Sequence, residues 1–295
     1  MKVLIIGATG MLGYSLFQNL SEASHLDVYG TVRNIEDKKH FFSGCEDRIF
    51  KSIDVSNLTT IEAVFKVTNP DVVINCIGLI KQHSISKQHV DAVAINSLLP
   101  HQLANLCNNY SCKLIHFSTD CVFDGKKGSY TENDIPDASD LYGRSKSLGE
   151  VNYEPHLTLR TSIIGHELDS SVSLVDWFLS QKDNTNGFSK AIFSGLPTCV
   201  IARLLIEKIL PASDLSGLYQ LSVESIDKFS LLNLIATKYN KKIKIMESTE
   251  LQIDRSLNSD RLRSVLDLEI PCWMALISEM HDDYKHRYEI YRCKN

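Results

Sequence analysis

Tyr142-Gly143-Arg144-Ser145-Lys146 sets a tyrosine and a lysine four residues apart. On a helix, residues i and i+4 lie on one face, a turn apart. A free phenol titrates near ~10 and a free ammonium near ~10.4. A cation held beside the phenol favours phenolate and lowers the tyrosine's pKa, giving a proton donor or acceptor usable near neutral pH. An ordinary surface helix can show the same spacing, so the pair gains chemical meaning only from the elements that would position it.

Those elements begin at the N-terminus. Val3-Leu4-Ile5-Ile6 reads as a buried parallel strand. Gly7-Ala8-Thr9-Gly10-Met11-Leu12-Gly13 follows at once, and Tyr14 to Leu20 has helical spacing. Gly7 permits a tight turn, Gly10 lets backbone approach a pyrophosphate, and Gly13 lets the helix pack on the sheet. Thr9, Met11 and Leu12 then stand at the phosphates, where the helix offers free N–H groups and a positive dipole end. A second strand covers Leu26 to Val32. A NAD binder carries an acid for the ribose hydroxyls at the next position; here it is Arg33, which suits a 2′-phosphate or else is a solvated surface charge.

A third strand is expected over Ile49–Val55, with Asp54 accepting from an adenine amino group and Val55 against the ring. Ile61–Val67 is a helix, and Asp71–Gly78 a fourth strand whose last residues, Cys76, Ile77 and Gly78, leave room for cofactor. Val90–Ala104 is a helix, and Lys113–Asp120 a fifth strand with Ser118 and Thr119 at its carboxyl end. The Tyr142–Val151 helix and a Leu157–Gly165 strand follow. This alternation predicts a Rossmann-type, doubly wound parallel α/β sheet. Ligands of such sheets bind at the carboxyl ends of the strands, where these candidates fall. After Gly165 the alternation fades. Residues 1–165 read as the dinucleotide-binding domain and 166–295 as a smaller α/β substrate-binding part, some of whose segments can return to the first domain.

The 295 residues are 43% hydrophobic and 23% charged, with a formal net charge of −5. That balance argues against nucleic acid as a partner, which needs a basic stripe. The first apolar run is too short for a signal peptide, and no run approaches a membrane span. The eight cysteines include no Cys-x-x-Cys pair. Reduced thiols in the cytoplasm and no metal are expected. His83, His89 and His116 lack ligand spacing and read as core or surface residues. Trp177 is either a stacking surface for the substrate or the apolar anchor of its helix. Arg255 is either a diphosphate partner or a surface charge.

In order along the chain stand the glycine turn, Ser118-Thr119-Asp120-Cys121-Val122-Phe123-Asp124-Gly125, and Tyr142-Gly143-Arg144-Ser145-Lys146 with Gly149-Glu150. Together they resemble the extended short-chain dehydrogenase/reductase family, and within it the dTDP-4-dehydrorhamnose reductases. Leu159-Arg160-Thr161-Ser162 and Pro197-Thr198 look like later landmarks of the same family. The resemblance implies Tyr142 as the acid that protonates a carbonyl oxygen. It implies Lys146 as the ribose ligand that lowers the tyrosine's pKa, and Thr119 as a hydrogen-bond partner of the substrate. Ser118 is then expected at the cofactor and Asp120 at the substrate, with Trp177 and Arg255 the candidates for a nucleotide-diphosphate sugar. Three departures stand out: Cys121 replaces an aromatic, Cys76-Ile77-Gly78 replaces a run of alanines, and Arg255-Ser256 replaces Arg-Pro. The expected activity is NADPH-dependent reduction of a 4-keto-6-deoxy sugar nucleotide, with NADH use and a homodimer left open. The alternatives are an epimerase or dehydratase of the same superfamily, or a non-catalytic NADP-binding regulatory subunit.

Overall fold

β1 (Lys2–Ile6) is buried on both faces from Val3 onward and lies inside a seven-stranded sheet of the computed structural model, which describes residues 1–79 and 88–292. α1 (Met11–Ser21), β2 (Asp27–Thr31), β3 (Ile49–Phe50), α2 (Leu58–Thr68) and β4 (Val72–Asn75) follow. α3 (His89–Ala92), a π-helical turn (Val93–Leu98) and α4 (Leu99–Asn109) run on as one helix. β5 (Lys113–Thr119), α5 (Leu141–Leu148), β6 (Leu157–Thr161), β7 (Ile163–Ile164), α6 (Leu174–Ser180), β8 (Asn184–Phe188), β9 (Ala191–Phe193), β10 (Leu196–Pro197) and α7 (Thr198–Leu204) come next. β11 (Gly217–Gln220), β12 (Ile226–Asp227), α8 (Lys228–Lys238), β13 (Lys244–Ser248), β14 (Ile253–Asp254), α9 (Asp260–Leu266), α10 (Trp273–Tyr284) and α11 (Ile290–Arg292) complete the described chain.

The main sheet has the order β11-β6-β5-β4-β1-β2-β3, and every neighbouring pair is parallel. The chain first winds outward from β1 to β3, then crosses back to β4 and winds the other way. β1 and β4 therefore flank the topological switch point, where an open α/β sheet has its crevice. Alternate side chains of β1 serve opposite cores, as the pleat requires. Val3 and Ile5 join the core with Leu16, Phe17 and Ile201, while Leu4 and Ile6 join that with Ile61, Phe65 and Leu103.

Beyond residue 165, α7 packs on α1 and β11 extends the main sheet beside β6. The remaining strands form small separate sheets: β7 with β10, β9 between β12 and β14, and β8 with β13. Arg287, past α10, ties this part to α1. It makes two 2.8 Å bonds to the Glu22 carboxylate and donates to Asn19 at 3.2 Å.

Three expected elements differ. The third strand stops at Phe50, because Ser52 takes a left-handed φ of 60° and Asp54 folds an Asx turn onto Ser56. Asp54 is thus exposed in a turn rather than at a strand end. The sixth strand breaks at Ser162, and its second piece, β7, pairs with β10 instead of the main sheet. The helix expected over 90–104 spans 89–109 and carries the π turn.

Candidate active site

The catalytic candidates converge where β5 ends. The Asp140 side chain caps α5 by accepting from Gly143 N at 2.8 Å. Gly143 lets the helix lie on the β5 exit: a Cβ there would stand 2.2 Å from the Cys121 carbonyl oxygen. This contact aims Tyr142 at Thr119, with which it hydrogen-bonds. One turn on, Lys146 is buried, and its ammonium donates to the Phe117 carbonyl at 2.7 Å. The helical face inferred from the four-residue spacing therefore exists. Thr119 also donates to Asp120 Oδ1 at 3.0 Å and accepts from Cys121 N at 3.1 Å.

The electrostatics correct one expectation. Burial pushes the Tyr142 phenol up rather than down, with the Cys121 thiol adding and the Thr119 hydrogen bond opposing. Burial also pulls Lys146 down to about 8, against the attraction of Glu150. A phenol raised in this way keeps its proton at neutral pH, the state a proton donor requires.

Two residues with structural weight at this site were not singled out as functional in the sequence. Asn96, on the π turn, accepts from Leu79 N at 2.8 Å and donates to Ser145 Oγ at 3.1 Å, so it ties the loop after β4 to α5. π turns recur at functional positions. Glu150 accepts from Ser118 Oγ at 2.7 Å and holds Arg160 through two 2.7 Å bonds, with only 7% and 4% of the two charged side chains exposed. Ser118 therefore turns its hydroxyl to Glu150. The guanidinium of Arg160 also lies over the Phe123 ring at 5.2 Å.

Arg255 comes from the far end of the chain to the same exit. It donates to the Phe123 carbonyl at 2.7 Å, lies beside Cys121 Sγ at 3.9 Å, and helps offset the burial that raises Asp120. It is half-buried. Trp177 is 38% exposed on α6, whose anchors are Val175 and Phe178, so it is not the apolar anchor of its helix. Arg33 is exposed just past β2, close enough to Asp54 to help hold that carboxyl low after the two Ser56 hydrogen bonds. His116 is buried with Nδ1 at 3.1 Å from the Asn75 amide, and burial keeps it neutral. His89 begins α3, and His83 lies outside the described residues.

The glycine turn fits a dinucleotide. Gly7 has φ +93°, and a Cβ on Gly13 would lie 2.1 Å from the Gly7 carbonyl oxygen, so both glycines are required by the chain itself. Gly10 differs: a Cβ there would meet only Gly7 O, at 3.7 Å, so the space in front of it is open. Thr9, Gly10 and the first turn of α1, with Met11 and Leu12, face that space at a helix N-terminus. Across the crevice, a Cβ on Gly78 would make only ordinary contacts, with Asn96 Oδ1 at 3.6 Å and Lys146 Nζ at 3.9 Å. Cys76 and Ile77 are half-buried along that edge, and Val55 stands half-buried beside the exposed Asp54.

A parallel doubly wound sheet with this turn and this Tyr–Lys helix is the architecture of an extended short-chain dehydrogenase/reductase. The chain belongs to the RmlD substrate binding domain family, whose model matches residues 1–270. Agl14 of Haloferax volcanii, described as a probable low-salt glycan biosynthesis reductase, is 30% identical over 188 residues, 61% of this chain and 60% of that protein. The match thus spans about three fifths of that relative. Methionine adenosyltransferase 2 subunit beta of Danio rerio is 27% identical over 253 residues, 81% of this chain and 74% of that protein. The crystal structure of a hypothetical dTDP-4-dehydrorhamnose reductase from Sulfolobus tokodaii superposes with a TM-score of 0.75 at 26% identity, covering 92% of this chain and 98% of that one. Among the described residues, no helix is long and apolar enough to cross a membrane.

Proposed function

We propose that this chain is an NADPH-dependent reductase of the 4-keto group of a nucleotide-diphosphate-linked 6-deoxy sugar, serving deoxysugar or polysaccharide biosynthesis in the cytoplasm. The observation that carries the reading is the Tyr142 phenol, kept protonated by burial and hydrogen-bonded to Thr119, one helical turn from the Lys146 ammonium. A bound reduced nicotinamide supplies the hydride. Tyr142 gives its proton to the oxygen of the carbonyl being reduced. Thr119 orients that oxygen, and Lys146 binds the nicotinamide ribose and steadies the phenolate left behind. The backbone of the glycine turn holds the pyrophosphate, and Arg33 favours a 2′-phosphate. Arg255 and Asp120 meet the substrate beside Thr119, and Trp177 offers a stacking surface. The likeness to the Sulfolobus tokodaii protein and to Agl14 supports a sugar-nucleotide reductase.

A dehydratase would add a second acid beside the catalytic threonine; here Asp120 is followed by Cys121. A non-catalytic subunit is the second reading, favoured by the longer match to the methionine adenosyltransferase subunit. Incubation with NADPH and a panel of 4-keto-6-deoxy sugar nucleotides separates them. The reductase releases one NADP⁺ per sugar reduced. Conversion of the sugar without net NADPH oxidation would indicate an epimerase or dehydratase. Tight NADPH binding with neither product would indicate a binding subunit.

A further inference from the structure

At the opposite end of the sheet from the candidate active site, α4 stops in a Schellman cap. Ser111 takes a left-handed φ of 53° and donates to Asn108 O at 3.2 Å, and Cys112 N donates to Cys107 O at 2.9 Å. That six-residue closure packs the side chain after the turn onto one in the last helical turn, normally as an apolar contact. Here both side chains are cysteines, 0% and 4% exposed, and their thiols hydrogen-bond to each other. The closure brings the two backbones within hydrogen-bond distance, and a disulfide asks for a Cα separation of roughly 4.4–6.8 Å. Cys112 also lines a cavity of about 400 Å³ whose walls include Val72, Ile115, Ile209 and Leu210.

We propose that Cys107 and Cys112 are a redox-active dithiol that a small disulfide, entering through this cavity, closes to an intrachain disulfide. The inference is independent of the reductase reading. Buried thiols are ordinarily inert, and burial does push Cys76 and Cys199 up. Cys112 differs. The hydrogen bond from Cys107 draws it down, against burial and the Asp71 carboxylate. The same bond and burial push Cys107 up. The order of events follows from access, since Cys112 lines the cavity. Cys112, as thiolate, attacks one sulfur of the incoming disulfide and forms a mixed disulfide, and the other half leaves as a thiolate that takes up the proton Cys112 lost. Cys107 then loses its proton and attacks the Cys112 sulfur, forming the Cys107–Cys112 bond and expelling the second half. Two protein thiols are oxidised and one small disulfide is reduced to two thiols.

β5 runs the seven residues from Lys113 to Thr119, so this site lies roughly 20 Å from the catalytic candidates at ~3.3 Å per residue, and activity is not its readout. The folded protein should be treated with 2-hydroxyethyl disulfide, its remaining thiols alkylated after denaturation, and its peptides mapped by mass spectrometry. Exposed Cys272 serves as the reference thiol. The proposal expects a Cys107–Cys112 crosslink, two hydrogens lighter and reversed by dithiothreitol. Cys107→Ser should stop at a stable mixed disulfide on Cys112. Both thiols still alkylatable once Cys272 is converted would overturn the proposal. So would a mixed disulfide that persists on Cys112 in the wild-type chain. The wild-type map alone decides between these outcomes, whatever the serine variant's stability.

Discussion

The two walls of the crevice are made in opposite ways. The glycine turn works by side chains that are missing: Gly7 and Gly13 let backbone close on backbone, and Gly10 leaves space for a ligand. The β5–α5 wall works by polar side chains that are partnered: Thr119 hydrogen-bonds Tyr142, Lys146 donates to the Phe117 carbonyl, and Glu150 holds Arg160 in an ion pair. A wall built from backbone resists change by sterics. One built from buried charges depends on each partner staying in place, because an unpartnered charge there is expensive. Substitutions should therefore hurt the first wall only where a Cβ collides, and the second wherever a partner is lost.

The largest stability effect should come from Glu150→Gln. It leaves Arg160 buried with its countercharge gone, at a loss of about 3–5 kcal/mol, read by denaturant unfolding. A wild-type midpoint would mean that the pair is structurally idle. Arg33→Ala should remove a charge-assisted contact of about 1.5–3 kcal/mol, or roughly ten- to a hundredfold in NADPH over NADH preference. The preference should shrink as salt rises, since Arg33 is exposed. Equal use of both cofactors by the wild type would make Arg33 a plain surface charge. Gly13→Ala should cost about 1–3 kcal/mol by overpacking. Gly10→Ala should leave the melting temperature alone and weaken cofactor binding, because its Cβ meets nothing but Gly7 O at 3.7 Å. If both alanines destabilise alike, the contrast within the glycine turn fails.

A finer test uses pH. Burial sets Lys146 at about 8, and Glu150 holds it up. Its charge is present below that pH and lost above, so kcat/KM should fall as pH rises through about 8. Glu150→Gln removes the attraction and should move this limb to lower pH. A limb that stays put would separate Glu150 from the lysine.

What the sequence disclosed follows the same division. The glycine turn and the Tyr142–Lys146 helix were legible because their geometry is local: a spacing of three or four residues fixes what touches what. Glu150 meets Ser118 across 32 residues and Asn96 meets Ser145 across 49, so no local spacing could pair them. The rise of Tyr142's pKa was hidden for a related reason, since burial is set by the whole fold. Asp54 was placed on a strand by its apolar neighbours, yet Ser52 and the Asx turn at Ser56 end the strand first. Arg255 could be placed only once the segment around Asp254 was seen bonded to Gly125, with Asp254 N donating to Gly125 O at 2.8 Å.

The central claim is that Tyr142 is the proton donor of a reductase. Its most direct test is Tyr142→Phe, with turnover followed as NADPH oxidation on a substrate the wild type reduces, and cofactor affinity measured by calorimetry on the same preparation. The phenol's only lost atom is the one that carries the proton, so NADPH affinity and the melting temperature should stay near wild type while kcat falls by roughly 10²–10⁴. Turnover close to wild type, with the fold and cofactor binding intact, would contradict the assignment and move the acid elsewhere in the site.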